Sequence, residues 1–209
     1  MYDHIVSAEI MNIPLKFETT PTLFSPNSID KGTLAMLSII DFSKETKVLD
    51  LGCGYGVVGI LVAKLIGKEK VIMCDVSQTA VEFARANAVR NQVSEIDIRL
   101  SDGFENIPEK DVTMILSNPP YHTDFSVAKH FIEMGYKKLV IGGRMVMVTK
   151  RLEWYKNKLA SVFGGVKVYE VGGYYVFVAE KRQRAVRKMK KAKKHSKKLQ
   201  RKYGSTSQK

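Results

Sequence analysis

Short apolar runs alternate with longer amphipathic ones through the middle of the chain. The runs at 47–51, 70–74, 96–100, 112–116 and 144–149 are of strand length and mostly apolar, the pattern of strands buried on both faces of a parallel sheet. All but the third lead into segments with helical spacing of apolar residues, at 56–66, 78–91, 125–138 and 152–163. Ala80, Phe83, Ala84 and Ala88 share one face of the second of these, and Val127, Phe131 and Met134 point inward from the third. Strand–helix alternation predicts parallel strands joined by right-handed crossovers, an α/β doubly wound sheet of Rossmann-like type. Ahead of it, strand-like pieces at 4–10 and 15–19, broken by Asn12 and Pro14, predict a small hairpin or lid. Asn27 or Ser28 would then cap a helix to about Ile40, with Leu34, Leu37 and Ile40 buried. Gly142-Gly143 reads as a turn before the strand at 144–149. Gly172-Gly173 separates strand-like runs at 166–171 and 174–180, a two-residue hairpin signal that makes the last pair antiparallel.

The first parallel strand runs into Asp50-Leu-Gly-Cys-Gly-Tyr-Gly56, and a helical pattern leaves it. Glycines there let the backbone turn sharply and approach a ligand, and the next helix points free N–H groups at it. Gly54-Tyr-Gly56-Val-Val-Gly59 fits G-x-G-x-x-G, and Asp75 follows at about the ~20-residue spacing of a ribose-binding acid. Asp50 separates two cofactor readings. A carboxylate just before the first glycine would repel a pyrophosphate but suits a cation. The Asp50–Gly54 form, D-x-G-x-G, resembles the cofactor loop of class I methyltransferases dependent on S-adenosyl-L-methionine (SAM), whose amine and sulfonium are cationic.

In an open parallel sheet, ligands bind beyond the carboxyl ends of the strands. Here successive strands close on Asp50, Asp75, Asp102 and Asn118, so four polar groups should gather on one rim. With SAM as ligand, Asp75 would accept the ribose hydroxyls and Asp102 the adenine amino group, with backbone N–H groups around Gly103 on ring nitrogens. Val76 and Phe104 would sandwich the adenine. The turn carrying Gly52, Gly54 and Gly56 would hold the methionine part, with Asp50 ordering the turn or bonding the amine.

Asn118-Pro119-Pro120-Tyr121 suits transfer to an exocyclic amine. The lone pair of such a nitrogen is delocalised into its ring. The Asn118 side-chain oxygen and Pro119 carbonyl can each accept one N–H, and the Pro119-Pro120 step stiffens the loop. Catalysis would then be positioning plus electrostatics, with Tyr121 as a stacking face.

Composition narrows the setting. The 209 residues are 44% hydrophobic, enough for one real core. No apolar run reaches the ~18 residues of a membrane span, and Met1-Tyr-Asp-His-Ile lacks the pattern of a secretory signal, so a cytoplasmic protein is expected. Cys53 and Cys74 have no metal-ligand spacing and read as buried thiols; no metal is expected. The net charge is +13, yet residues 181–209 hold 14 Lys+Arg and no acid. The other 180 residues are close to neutral. Lysines and arginines of that tail, among them Arg187, Lys188, Lys190 and Lys191, can contact RNA phosphates with little sequence readout or form a plain solvated tail. Its few apolar residues predict a disordered tail when free. Lys150 and Arg151, after the fifth parallel strand, can hold a substrate phosphate or form a plain surface pair.

Asn118-Pro-Pro-Tyr121 resembles the [N/D]-P-P-[Y/F/W] motif of methyltransferases acting on planar nitrogen. Residues 20–180 are similar to the small-domain methyltransferases that include ribosomal RNA guanine-N2 enzymes. Phe24-Ser25 and Asp30-Lys-Gly32-Thr33 resemble that group's pre-sheet element, which closes over the methionine end of SAM; His122 resembles a histidine after its Asn-Pro-Pro-Phe and can contact substrate. The resemblance implies a seven-stranded sheet, mostly parallel with an antiparallel last hairpin, and guanine N2 of ribosomal RNA or of a ribosomal subunit as the acceptor. It divides the chain into a hairpin or lid (1–20), a SAM-dependent domain (21–180) and a basic tail (181–209). Such enzymes often carry a duplicated N-terminal domain that recruits RNA, where about 20 residues stand here. Adenine N6, a protein glutamine amide, a non-catalytic RNA-binding assembly role and an NAD-dependent oxidoreductase are the alternatives. Asp50 and the lack of a proton relay disfavour the last.

Overall fold

The computed structural model describes residues 4–119 and 125–183. In chain order the elements are β1 (His4–Ile10), β2 (Ile13–Thr19), α1 (Lys31–Leu37), β3 (Val48–Leu51), α2 (Val57–Ile66), β4 (Val71–Asp75), α3 (Gln78–Arg90), β5 (Asp97–Leu100), β6 (Val112–Ser117), α4 (Ser126–Lys138), β7 (Leu139–Thr149), α5 (Leu152–Phe163), β8 (Lys167–Val171) and β9 (Tyr174–Glu180). The main sheet has seven strands in the order β5-β4-β3-β6-β7-β9-β8. β3 to β7 pair in parallel, and β9 runs antiparallel to both β7 and β8. The chain winds one way from β3 through β4 to β5 and the other way from β6 to β7, so the order reverses between β3 and β6. That reversal opens a crevice at the carboxyl ends of those two strands.

Side-chain alternation along the strands feeds two cores. Val48, Met73, Leu116 and Val148 pack with α1, α2, α3 and the hairpin. Leu49, Leu51, Cys74, Ile115 and Met147 pack with α4 and α5 on the opposite face. Asp50 therefore points the same way as Val48, towards α2.

β1 and β2 form a separate antiparallel hairpin. Asn87 on α3 and Asn91, which caps that helix one turn later, hold its open edge. Asn87 accepts from the Glu18 N–H (2.7 Å) and donates to the Glu18 carbonyl (2.8 Å). Asn91 does the same with Lys16 (3.1 and 2.8 Å). The second N–H of Asn87 donates to the Tyr55 carbonyl in the glycine turn at 2.9 Å.

Three local expectations are corrected. The cap of α1 is Asp30, not Asn27 or Ser28: its side chain accepts from the Thr33 N–H at 2.8 Å. The helix is consequently shorter at both ends than expected, and Leu34 is exposed while Leu37 and Ile40 are buried. Gly142-Gly143 is not a turn. β7 runs through it, because Gly142 takes φ +85° and still donates to the Lys181 carbonyl (2.7 Å), while Lys181 donates back to Gly143 (2.8 Å). The register against β6 shifts there, as at a bulge. Gly172-Gly173 does turn, with both φ values positive.

Candidate active site

The glycine turn is built from strand-end carbonyls and two carboxylates. The N–H groups of Gly52 and Cys53 both donate to the Cys74 carbonyl (2.9 Å each), which ties the turn to β4. Gly52, Gly54 and Gly56 all have positive φ, where other residues would be strained. A Cβ at Gly52 or Gly54 would meet no protein atom within 4 Å, whereas one at Gly56 would stand 2.9 Å from Ile60 Cδ1. Gly59 lies against β4 so closely that a Cβ would fall 2.4 Å from Met73 Cγ.

Gly56 is the N-cap of α2 and has no side chain to cap it. Asp50 does that work from the neighbouring strand: its Oδ2 accepts from the Gly59 N–H at 2.8 Å. Asp50 is almost wholly buried. Burial pushes its pKa up to about 7; the Gly59 N–H pulls the other way and the Asp75 charge adds to the rise. Asp75 holds the turn from β4, accepting from Gly54 N–H on Oδ2 and from Ser77 N–H on Oδ1, both at 2.9 Å. A carboxylate has about four acceptor positions, so Asp75 keeps capacity for further donors. Cys53 and Cys74 are buried free thiols, both pushed up chiefly by burial, Cys74 to about 12.

Across the crevice Asn118 follows β6. Its Nδ2 donates to Asp30 Oδ2 (2.8 Å) and to Thr33 Oγ1 (3.1 Å). Its Oδ1 is buried and has no partner among the described residues. The Thr19 and Thr20 hydroxyls share that condition. A hydroxyl can rotate, but an amide held at its nitrogen cannot turn its oxygen elsewhere.

These groups line one cavity of about 460 Å³. Asp50, Asp75, Asp102 and Asn118 all contribute to its wall, as do Gly52, Gly54, Val76, Gly103 and Pro119. Phe24 and Ser25 line it from the segment before α1. Gly56 does not line it and serves the bend instead. Phe104, expected on the adenine, is also absent from the wall. A tight turn, with Ile107 N–H on the Phe104 carbonyl (3.1 Å), sends its ring into the core against Phe131. Val127 and Phe131, one turn apart on α4, line the cavity where Phe104 was expected. Lys150 and Arg151 lie outside the wall, 5.0 Å from the ring centroids of Tyr174 and Phe125 respectively. Pro120, Tyr121 and His122, and Arg187, Lys188, Lys190 and Lys191, lie outside the described residues. No hairpin residue lines the cavity, and the hairpin packs against α3 instead of covering the site.

Tyr55, Val57, Val58 and Ser101 also reach the wall without having been singled out, and so do Asp30 and Thr33 of the element expected to close over the methionine end. For Asp30 the local signal is the helix cap it makes; its hold on Asn118, 88 positions away, has none.

A sheet that reverses between β3 and β6, with a glycine turn and strand-end acids on its rim, is that of the class I methyltransferase fold. The chain belongs to the methyltransferase small domain family, whose model matches residues 14–201. It is 32% identical over 183 residues to a ribosomal RNA small subunit methyltransferase C of Serratia proteamaculans, covering 86% of this chain and 52% of that protein. Against the protein of the same name from Cronobacter sakazakii it is 35% identical over 170 residues, covering 79% and 49%. A solved T. thermophilus 16S rRNA N2-guanine methyltransferase, in complex with AdoMet and guanosine, superposes with a TM-score of 0.78 at 25% identity, covering 87% of this chain and 51% of that one. The chain thus spans about half the length of these relatives. No described helix is long and apolar enough to cross a membrane, and no metal-binding cluster occurs among the described residues.

Proposed function

We propose that this chain transfers the methyl group of SAM to the N2 amine of a guanine in ribosomal RNA, in the cytoplasm. One observation carries the reading: the buried, unpartnered Oδ1 of Asn118 at the wall of the cavity. An unsatisfied acceptor in such a place costs about 1–3 kcal/mol, which a donor N–H recovers. The names of the relatives point the same way.

The residues fit the cofactor. Gly52 and Gly54 leave a cradle that any Cβ would narrow, and the buried Asp50 carboxylate suits a neighbouring cation. Asp75 would take the ribose hydroxyls with its remaining lone pairs, and Asp102 with the Gly103 backbone the adenine edge. Val76, Val127 and Phe131 would enclose the ring, while Phe24 and Ser25 would border the methionine end. When bound, SAM supplies an electrophilic methyl on a sulfonium.

Asn118 Oδ1 and the Pro119 carbonyl would accept the two N–H groups of the amine and hold its lone pair towards that methyl. The nitrogen becomes acidic as it gains the methyl and gives its proton to water, so no strong base is required. Tyr121 would stack on the base, with Pro120 stiffening the loop and His122 beside it. Lys150 and Arg151 would hold a phosphate of the RNA, and Arg187, Lys188, Lys190 and Lys191 the backbone further off. On this reading residues 1–20 are a supporting hairpin, 21–180 the catalytic domain and 181–209 an RNA-binding tail.

The test supplies labelled SAM with small ribosomal subunits, naked 16S rRNA or a release factor, and maps the products by nucleoside mass. N2-methylguanosine, absent with Asn118→Ala, is the expected result. Label in N6-methyladenosine or in glutamine, or no label, overturns the reading.

A further inference from the structure

We propose that Asp30 is a positioning residue that fixes which way the Asn118 amide faces. The proposal rests on Asn118 Oδ1 as acceptor of the substrate N–H.

An asparagine amide has two orientations of nearly equal shape, one offering oxygen and the other NH2 at a given point. Only the first can accept from an amine; the second would set donor against donor. Asp30 Oδ2 lies 2.8 Å from Asn118 Nδ2, and a carboxylate accepts. Turning the amide over would bring two acceptor oxygens to that distance. Thr33 Oγ1, 3.1 Å away, takes the other N–H and leaves Oδ1 as the group without a partner.

The grip is itself fixed. Asp30 Oδ2 also accepts from Thr33 N–H at 2.8 Å, so the helix cap and the amide clamp share one oxygen. Gly32 is what lets the helix start lie this close. A Cβ there would fall 2.8 Å from Tyr174 Cε1 and 2.9 Å from Asp30 Oδ2. The start of α1 is thereby pressed between β9 and the end of β6, and the carboxylate has little room to leave.

Two substitutions separate clamp from cap. Asp30→Ser keeps a good N-cap but is too short to reach Asn118, whereas Asp30→Asn keeps one oxygen able to do both. Methyl transfer by Asp30→Ser should fall about 10–100-fold in kcat, the scale of a misplaced reacting group, with KM for RNA and SAM affinity by calorimetry within about threefold. Asp30→Asn should recover most of that rate, and thermal midpoints should stay close to the parent's. Equal rates for Asp30→Ser and the parent would overturn the proposal. So would Asp30→Asn as slow as Asp30→Ser, or SAM affinity falling in step with rate. Side-chain amide NMR with 15N-asparagine gives a readout that needs no turnover. The slow-exchanging Asn118 NH2 pair should persist in the parent and Asp30→Asn and collapse in Asp30→Ser. If the parent methylates no RNA, the functional reading fails by itself, and these amide signals still decide the clamp.

Discussion

The glycine turn and the end of β6 face each other across one cavity and are finished to different degrees. At the turn the carboxylates already have backbone partners: Gly59 on Asp50, and Gly54 and Ser77 on Asp75. At the end of β6 the Asn118 nitrogen is held twice and its oxygen by no described residue. The turn is thus braced by the protein's own N–H donors. On the proposed function, a substrate N–H completes the strand end, which would tie recognition to the same atom that positions the reaction.

Asn118→Ala should break the contrast most. Methyl transfer should drop about 10²–10³-fold, as when one preorganised electrostatic partner is removed, while SAM affinity moves less than about threefold. A parallel loss of SAM binding, measured by calorimetry, would mean that the two halves are one. Gly56→Ala should do the opposite. It places a side chain at φ +103° and within 2.9 Å of Ile60 Cδ1, so the fold should lose about 2 kcal/mol in urea titration, with SAM binding weakened.

A smaller effect comes from Asp50. Its folded pKa of about 7 lies above the unfolded value near 3.9. Its contribution to stability is therefore present below about pH 4 and lost as pH rises through about 7. Only the ionised form attracts a cation, so SAM affinity should grow about three- to tenfold from pH 5.5 to 7. In Asp50→Asn that rise should vanish. Smallest of all, Cys53 and Cys74 should resist iodoacetamide at pH 8 until the protein is unfolded, since burial keeps both thiols protonated. Rapid native alkylation, followed by mass spectrometry, would show that the turn opens.

Much of the architecture was legible because it is written in local periodicity. Parallel pairing follows from strand–helix alternation and the antiparallel last pair from its glycines, while Asp50 announces itself just before the glycine turn and Asp75 by its spacing of about 20 residues from it. Identical local signals still led to different outcomes. Gly172-Gly173 turns the chain, but Gly142-Gly143 bulges, because a neighbouring strand carries its ladder on through Lys181. Phe104 was expected in the cavity on its place after Asp102-Gly103; a tight turn takes it into the core, and helix residues Val127 and Phe131 line the wall instead. The Asp30–Asn118 contact was invisible for a simpler reason. It joins residues 88 positions apart, and nothing in either neighbourhood names the other.

The asparagine pair on α3 has a metric consequence. Four helix residues advance about 6 Å and two strand residues about 6.8 Å, so amides at 87 and 91 match the backbone at 18 and 16. They act as a two-mark ruler against β2: a slip of one residue would swap the edges of the strand and lose both marks at once. Because Asn87 also holds the Tyr55 carbonyl, the zero of that ruler sits on the glycine turn, and the chain's first two strands are gauged from it.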